Sequence, residues 1–227
     1  MKFLYALLLI GPTFLSAQED LLSLVAEEPK KNEKVYATFK TFRLGNAQTI
    51  ETVKKNHLDF RIAHRFGNIY NSDLANPINE TFQSFFGFDN NNDIRFSFDY
   101  GVTDDITIGI GRSAMGKLFD ASLKWKLLKQ TTNFKVPVSI TFFGDLGYTF
   151  APTSVIYGGI NKNFKTNELH RFNYISQFII ASRLNKSFAF EILPTYVHRN
   201  FIMQRINSNN DAEDVNGFFS LGFGGRI

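Results

Sequence analysis

The stretch from Asp93 to Leu128, DIRFSFDYGVTDDITIGIGRSAMGKLFDASLKWKLL, decides how this chain folds. In its first part Ile94, Phe96, Phe98 and Tyr100 share one parity, while Arg95, Ser97 and Asp99 share the other. Ile106, Ile108 and Ile110 then oppose Thr107, Gly109 and Gly111. After a break, Phe119, Ala121, Leu123, Trp125 and Leu127 oppose Asp120, Ser122, Lys124 and Lys126. Successive side chains of a strand point to opposite faces, so three strands are predicted, each with one apolar face and one face of polar residues or glycine. A helix, with its period of 3.6, cannot sort residues this way.

The same stretch contains GRSAMGKL at 111 to 118, which matches the phosphate-cradling pattern GxxxxGK except that Leu118 replaces the final Ser or Thr. A phosphate-binding loop needs a strand before the glycines and a helix after them, because the phosphates rest on the helix N-terminus. Here the following residues alternate at period two. Gly109 and Gly111 are therefore read as small positions on the polar face of a strand, SAMGK as a tight hairpin connection, and no nucleotide is expected.

Alternation recurs less strictly at 57–66, 136–150, 171–182, 187–199 and 217–227, and VYATFKTFR at 35–43 is predicted as a first strand. Connections are short at 101–105, 129–133 and 184–186 and long at 67–92, 151–169 and 201–216. Short turns at one end and long loops at the other describe an outer-membrane barrel. Such barrels close with an even number of strands. TFQSFFGF at 81–88 would supply a further strand, for about ten in all; its alternative is a long loop folded over or into the barrel.

Alternation alone does not say which face points outward: a soluble barrel of lipocalin type turns its apolar face in, a membrane barrel turns it out. Three features favour lipid. The polar face carries Asp59, Arg61, Arg95, Asp99, Asp120, Lys124, Lys126, Glu191 and Arg199, a mixed-charge set suited to pairing across a lumen. Several segments are long enough to cross a bilayer at a tilt. Aromatic residues, among them Tyr100, Trp125, Tyr148, Phe150, Tyr174 and Tyr196, gather near strand ends, where an interfacial girdle belongs.

At the N-terminus Lys2, the apolar run FLYALLLI and Leu15-Ser16-Ala17 read as a secretory leader spanning 1–17, cleaved after Ala17. Residues 18–33 read as a periplasmic linker or short helix, through which a periplasmic protein could be met, or else as a plug. The barrel then spans 34–227. The chain has no cysteine, so disulfides contribute nothing to an exported fold. Its formal charge of +4 is small and scattered, which argues against a nucleic-acid partner. Outer-membrane lipid is the expected surrounding, the cell outer membrane the expected location.

DLLSLVAEE, VYATFKTFRL, HRFG at 64–67, FFGFD at 85–89, DYGVTDDITIGIGRS, LFDASLKWKLLKQ and PVSITFFG together resemble a Bacteroidota outer-membrane barrel family, domain of unknown function 5777. The resemblance implies an all-β antiparallel up-and-down transmembrane barrel, and members that run on past the equivalent of Ile227, so that a longer chain would hold about twelve strands. It implies no catalytic or ligand-binding residues.

Function is less determined. A narrow pore or transport-related barrel with recognising outer loops is expected, with a structural or assembly barrel lacking a channel as the alternative, because small barrels fill their interior with side chains. Lipid hydrolases and acyltransferases of outer membranes would use a serine, a histidine and an acid at the rim. His57, His64, His170 and His198 are the histidines available, and His64 and His198 continue apolar faces, as interfacial residues do. An enzyme is not expected, nor a cofactor, and no His or carboxylate cluster has metal-ligand spacing.

Overall fold

The computed structural model describes residues 33–45, 47–70, 76–89, 91–156, 167–202 and 215–227. The expected leader and residues 18–32 of the expected linker lie outside the described residues. Two short strands, β1 (Arg43–Leu44) and β2 (Ala47–Gln48), form a small hairpin. Eight more follow: β3 (Leu58–Phe66), β4 (Asn91–Gly101), β5 (Ile106–Ser113), β6 (Leu118–Leu128), β7 (Ser139–Thr149), β8 (Phe172–Arg183), β9 (Ala189–Arg199) and β10 (Gly217–Arg226). These eight pair antiparallel in chain order to make a single up-and-down sheet. No pairing joins β3 to β10 among the described residues. Short helices α1 (Pro77–Gln83) and α2 (Thr153–Ile156) lie in two of the long connections.

Turn chemistry fixes the register locally. Between β4 and β5 the Thr103 hydroxyl accepts from the backbone N–H groups of Asp105 and Ile106. Between β8 and β9 the Asn185 side chain accepts from Ser187 and Phe188. Side-chain oxygens of this kind replace a backbone partner and close the turn. The GRSAMGKL stretch is such a connection: β5 runs to Ser113, one tight turn spans Met115–Lys117 with Gly116 at φ 64°, and β6 begins at Leu118.

The direction of the two faces is the main result. Side chains of the apolar parity are exposed, among them Phe96, Phe98, Ile108, Ile110, Leu123 and Trp125. Those of the polar parity are buried: Ser97, Asp99, Thr107, Asp120, Lys124 and Glu191. This inverts a water-soluble sheet, in which the apolar face is the one removed from solvent. At the end bearing the long connections the aromatics of this face touch one another. Tyr148 packs on Phe150 and Phe172, Tyr174 stacks on His198 at 4.8 Å, and Tyr196 packs on Phe219.

Two expected strands are corrected. Residues 35–43 do not join the main sheet; they lead into the β1–β2 hairpin, which lies on the sheet's polar face. The alternation of VYATFKTFR is imperfect, and the backbone N–H groups of Thr38 and Phe39 go to the Glu51 carboxylate rather than to a neighbouring strand. TFQSFFGF is not a strand either. Pro77 opens the short helix α1 there, and Phe85, Phe86 and Gly87 then take left-handed φ angles that no strand contains. Ten strands are present among the described residues, but two of them belong to the hairpin and eight to the sheet.

Candidate functional site: a polar face filled by the N-terminal segment

The polar face presents alternating charges that must be paired once water is removed. Arg95 on β4 and Asp120 on β6 form a two-pronged ion pair across β5. Gly111 lies between them, and a Cβ there would collide with both side chains. Gly109 likewise leaves room for Asp99 and Ser122. The two glycines are therefore the space through which side chains of β4 and β6 reach each other.

Residues 33–45 and 47–53 occupy the half of this face nearest the short turns. Phe39 and Ile50 pack with Phe143, Ile179, Ala181, Ala189 and Leu193, the one apolar core among the described residues. Polar contacts reach the other strands. Arg43 pairs with Asp99 of β4 at 3.6 Å, Thr107 of β5 accepts from the Val53 N–H at 2.9 Å, and Thr141 of β7 donates to the Ile50 carbonyl at 3.2 Å. Arg183, at the end of β8, donates to the Ala37 carbonyl at 2.9 Å. With the Phe42 ring under Arg61 of β3 and Lys124 of β6 bonded to the Phe42 and Glu51 carbonyls, the segment touches every strand from β3 to β9.

Lys124 is the centre of the arrangement. It is 3 % exposed, and its ammonium donates to the carbonyls of Phe42 at 3.1 Å and Glu51 at 2.7 Å. Glu51 in turn accepts from Thr38 and Phe39 and faces Lys126 at 3.6 Å. The Phe42 ring is ringed by cations: Arg61 at 4.5 Å, Lys124 at 5.1 Å and Arg43 at 5.9 Å. Burial lowers the pKa of Arg43 from the ordinary arginine value, and Asp99 works against that shift. Both Glu191 carboxylate oxygens are buried without a hydrogen-bond partner among the described residues, within electrostatic reach of Lys124. A cavity of about 990 Å³ opens beside the segment, lined by Tyr36, Lys40, Lys54, Arg61, Asp104 and Lys126.

Of the polar-face candidates, Arg95, Asp99, Asp120, Lys124, Lys126 and Glu191 thus converge on this interior. Asp59 and Arg61 pair with each other on β3 at 2.9 Å, with Arg61 also covering Phe42. Arg199 stands at the opposite end of β9, over the Phe218 ring at 6.0 Å. Sequence reasoning missed Phe39, Phe42 and Glu51. The only local signal was the isolated carboxylate in TIETVKKN, which has no nearby turn or cap to explain it.

The histidines lie apart. His64 meets Phe66 edge-on, His170 stacks on Phe201, and His198 stacks on Tyr174 while its Nδ1 lies 3.2 Å from the Tyr196 hydroxyl. His57 contacts the Lys55 carbonyl at 2.9 Å. Among the described residues no group of three or more His, Asp or Glu side chains is placed to hold a metal ion.

No curated protein and no solved structure matches this chain. A family model does, from Phe39 of the inserted segment to the last residue: over residues 39–227 the chain belongs to the family described as Membrane bound beta barrel domain (DUF5777).

Proposed function

We propose that this protein is an integral outer-membrane β-barrel whose own N-terminal hairpin closes the periplasmic half of its interior, and which works through its long outer connections rather than as an open channel. The observation that carries the reading is the set of bonds from Lys124, Arg43 and Thr141 that ties residues 33–53 to the polar face, with Phe39 and Ile50 buried behind them. In a bilayer the sheet is closed, leaving β3 and β10 no free edge, because each unpaired backbone group in hydrocarbon costs several kcal/mol. The secretory pattern of residues 1–17 and the family's membrane character support the outer membrane as its place.

Short turns lie on the periplasmic side of such barrels and long loops outside. The inserted segment meets the short turns, through Val35 to Gln130 and Thr52 to Asp104, so it enters from the periplasm. Recognition rather than chemistry is assigned to the outer connections. Planar-bilayer recording tests the proposal. The intact protein is expected to give no conductance above the bare bilayer, and removal of residues 33–53 to produce discrete openings; steady openings by the intact protein would instead support the narrow pore.

A further inference from the structure

The connection from β3 to β4 carries an aromatic cluster that the closed-barrel reading leaves unused. Phe82, Phe85, Phe86 and Phe88 are all exposed, as is Ile78 at the start of α1, and Phe85 is 64 % exposed. Their rings touch each other, Phe82 to Phe86 at 5.4 Å and Phe85 to Phe88 at 6.0 Å. From Pro77 to Phe88 the only charged residue is Glu80. An exposed cluster of this kind on a polar loop marks a surface that meets something apolar.

Two further features say what that is. First, the cluster is continuous with the outward face of the sheet: Phe88 packs on Phe66 at 4.8 Å, and Phe66 packs on His64 of β3. Second, the backbone is prepared for a surrounding that offers no hydrogen bonds. Every N–H from Ser84 to Asp89 finds an acceptor inside the loop: Glu80, Phe82, Thr81, the Ser84 hydroxyl, Phe85 and Ser84 in turn. Water would satisfy such groups in an ordinary surface loop; hydrocarbon cannot. Phe85 and Phe86 accept left-handed φ angles of 46° and 57° to complete this pattern. Gly87 follows at φ 79°, where a Cβ would strike the Asn68 carbonyl at 2.6 Å. Its own carbonyl accepts from Gly67, which holds the loop against the end of β3.

We propose that residues 78–88 form a membrane anchor that dips its phenylalanine rings into the acyl-chain boundary of the outer leaflet beside β3. The inference rests on the outward orientation of the sheet's apolar face. Aromatic rings favour this zone, and a short amphipathic segment buries its apolar side there. The anchor holds the outer rim at a set depth.

Tryptophan quenching separates the anchor from the barrel. The chain has one tryptophan, Trp125, on the exposed face of β6, so the wild type reports on the sheet and a F85W variant in a W125F background reports on the loop. Both are reconstituted in phosphatidylcholine vesicles with and without brominated acyl chains. Bromine is expected to lower F85W emission by a factor similar to that for Trp125, with aqueous iodide quenching neither. F82W serves the same purpose should F85W fail to fold. Quenching of the loop by iodide but not bromine overturns the anchor, as does quenching by neither, which would place the rings against protein. Loss of bromine quenching at Trp125 itself would instead defeat the orientation of the sheet.

Discussion

The guanidinium of Arg95 and the carboxylate of Asp120 meet over the backbone of Gly111, each reaching from a strand beside the one that holds the glycine. Asp120 is 3 % exposed, so loss of Arg95 would leave the carboxylate buried without its partner. Asp120→Ala is expected to lose about 3–5 kcal/mol, the usual consequence of breaking one side of a buried pair. Replacing both, as Arg95→Met with Asp120→Leu, should cost less than the sum of the single changes, a coupling that denaturant unfolding in detergent micelles measures.

Gly111→Val tests the same relationship from the backbone side. The added side chain enters the space now held by Arg95 and Asp120, so the variant should be destabilised in the same direction as Asp120→Ala. Combined with Asp120→Ala it should add little further loss. Full additivity in unfolding midpoints would mean that the glycine has some other task.

Lys124→Met removes the ammonium that holds the carbonyls of Phe42 and Glu51. The Phe42 carbonyl keeps the Thr49 N–H, but the Glu51 carbonyl loses its partner at a cost of about 1–3 kcal/mol, and the inserted segment should loosen first because it has fewer partners than the sheet. Limited trypsin digestion reads this out at Lys40 and Arg43, which the segment itself carries. Cleavage there should be faster in the variant than in wild type, while the sheet stays protected. Equal rates would show that Lys124 does not retain the segment.

On the outward face the sign of the effect reverses for charge. Leu123→Arg places a cation among the exposed apolar side chains of β6 and should lose about 2–4 kcal/mol in lipid if that position lies near the bilayer midplane. The same change in a water-exposed side chain would fall within about 0.5 kcal/mol of neutral. Equilibrium folding into vesicles distinguishes the two.

The strands of 93–128 were legible because each residue's parity is decided by its own chemistry, and the pairing of consecutive strands needs no information from afar. Which face is covered was not contained in the alternation; it emerges from the burial of Asp99, Asp120 and Lys124 against the exposure of Phe98 and Trp125. VYATFKTFR misled because a short alternating run looks alike whether its backbone pairs with a sheet or with a carboxylate such as that of Glu51, thirteen residues from Thr38. TFQSFFGF misled for a different reason. Its aromatic content suits a strand, yet Phe85 and Phe86 are left-handed in a loop whose Phe88 packs on Phe66 at the end of β3, a distant contact that no local pattern records.

On the proposed reading the apolar parity of the strands faces lipid and the charged parity faces an enclosed interior. Because the chain has no native cysteine, single cysteines at consecutive positions 95 to 100 of β4 can each carry a nitroxide, with the protein in phospholipid vesicles. Labels at 96 and 98 are expected to collide freely with membrane-dissolved oxygen and scarcely with a water-soluble nickel chelate, while labels at 97 and 99 are shielded from oxygen. The opposite parity, or equal access of both reagents along the strand, would contradict it.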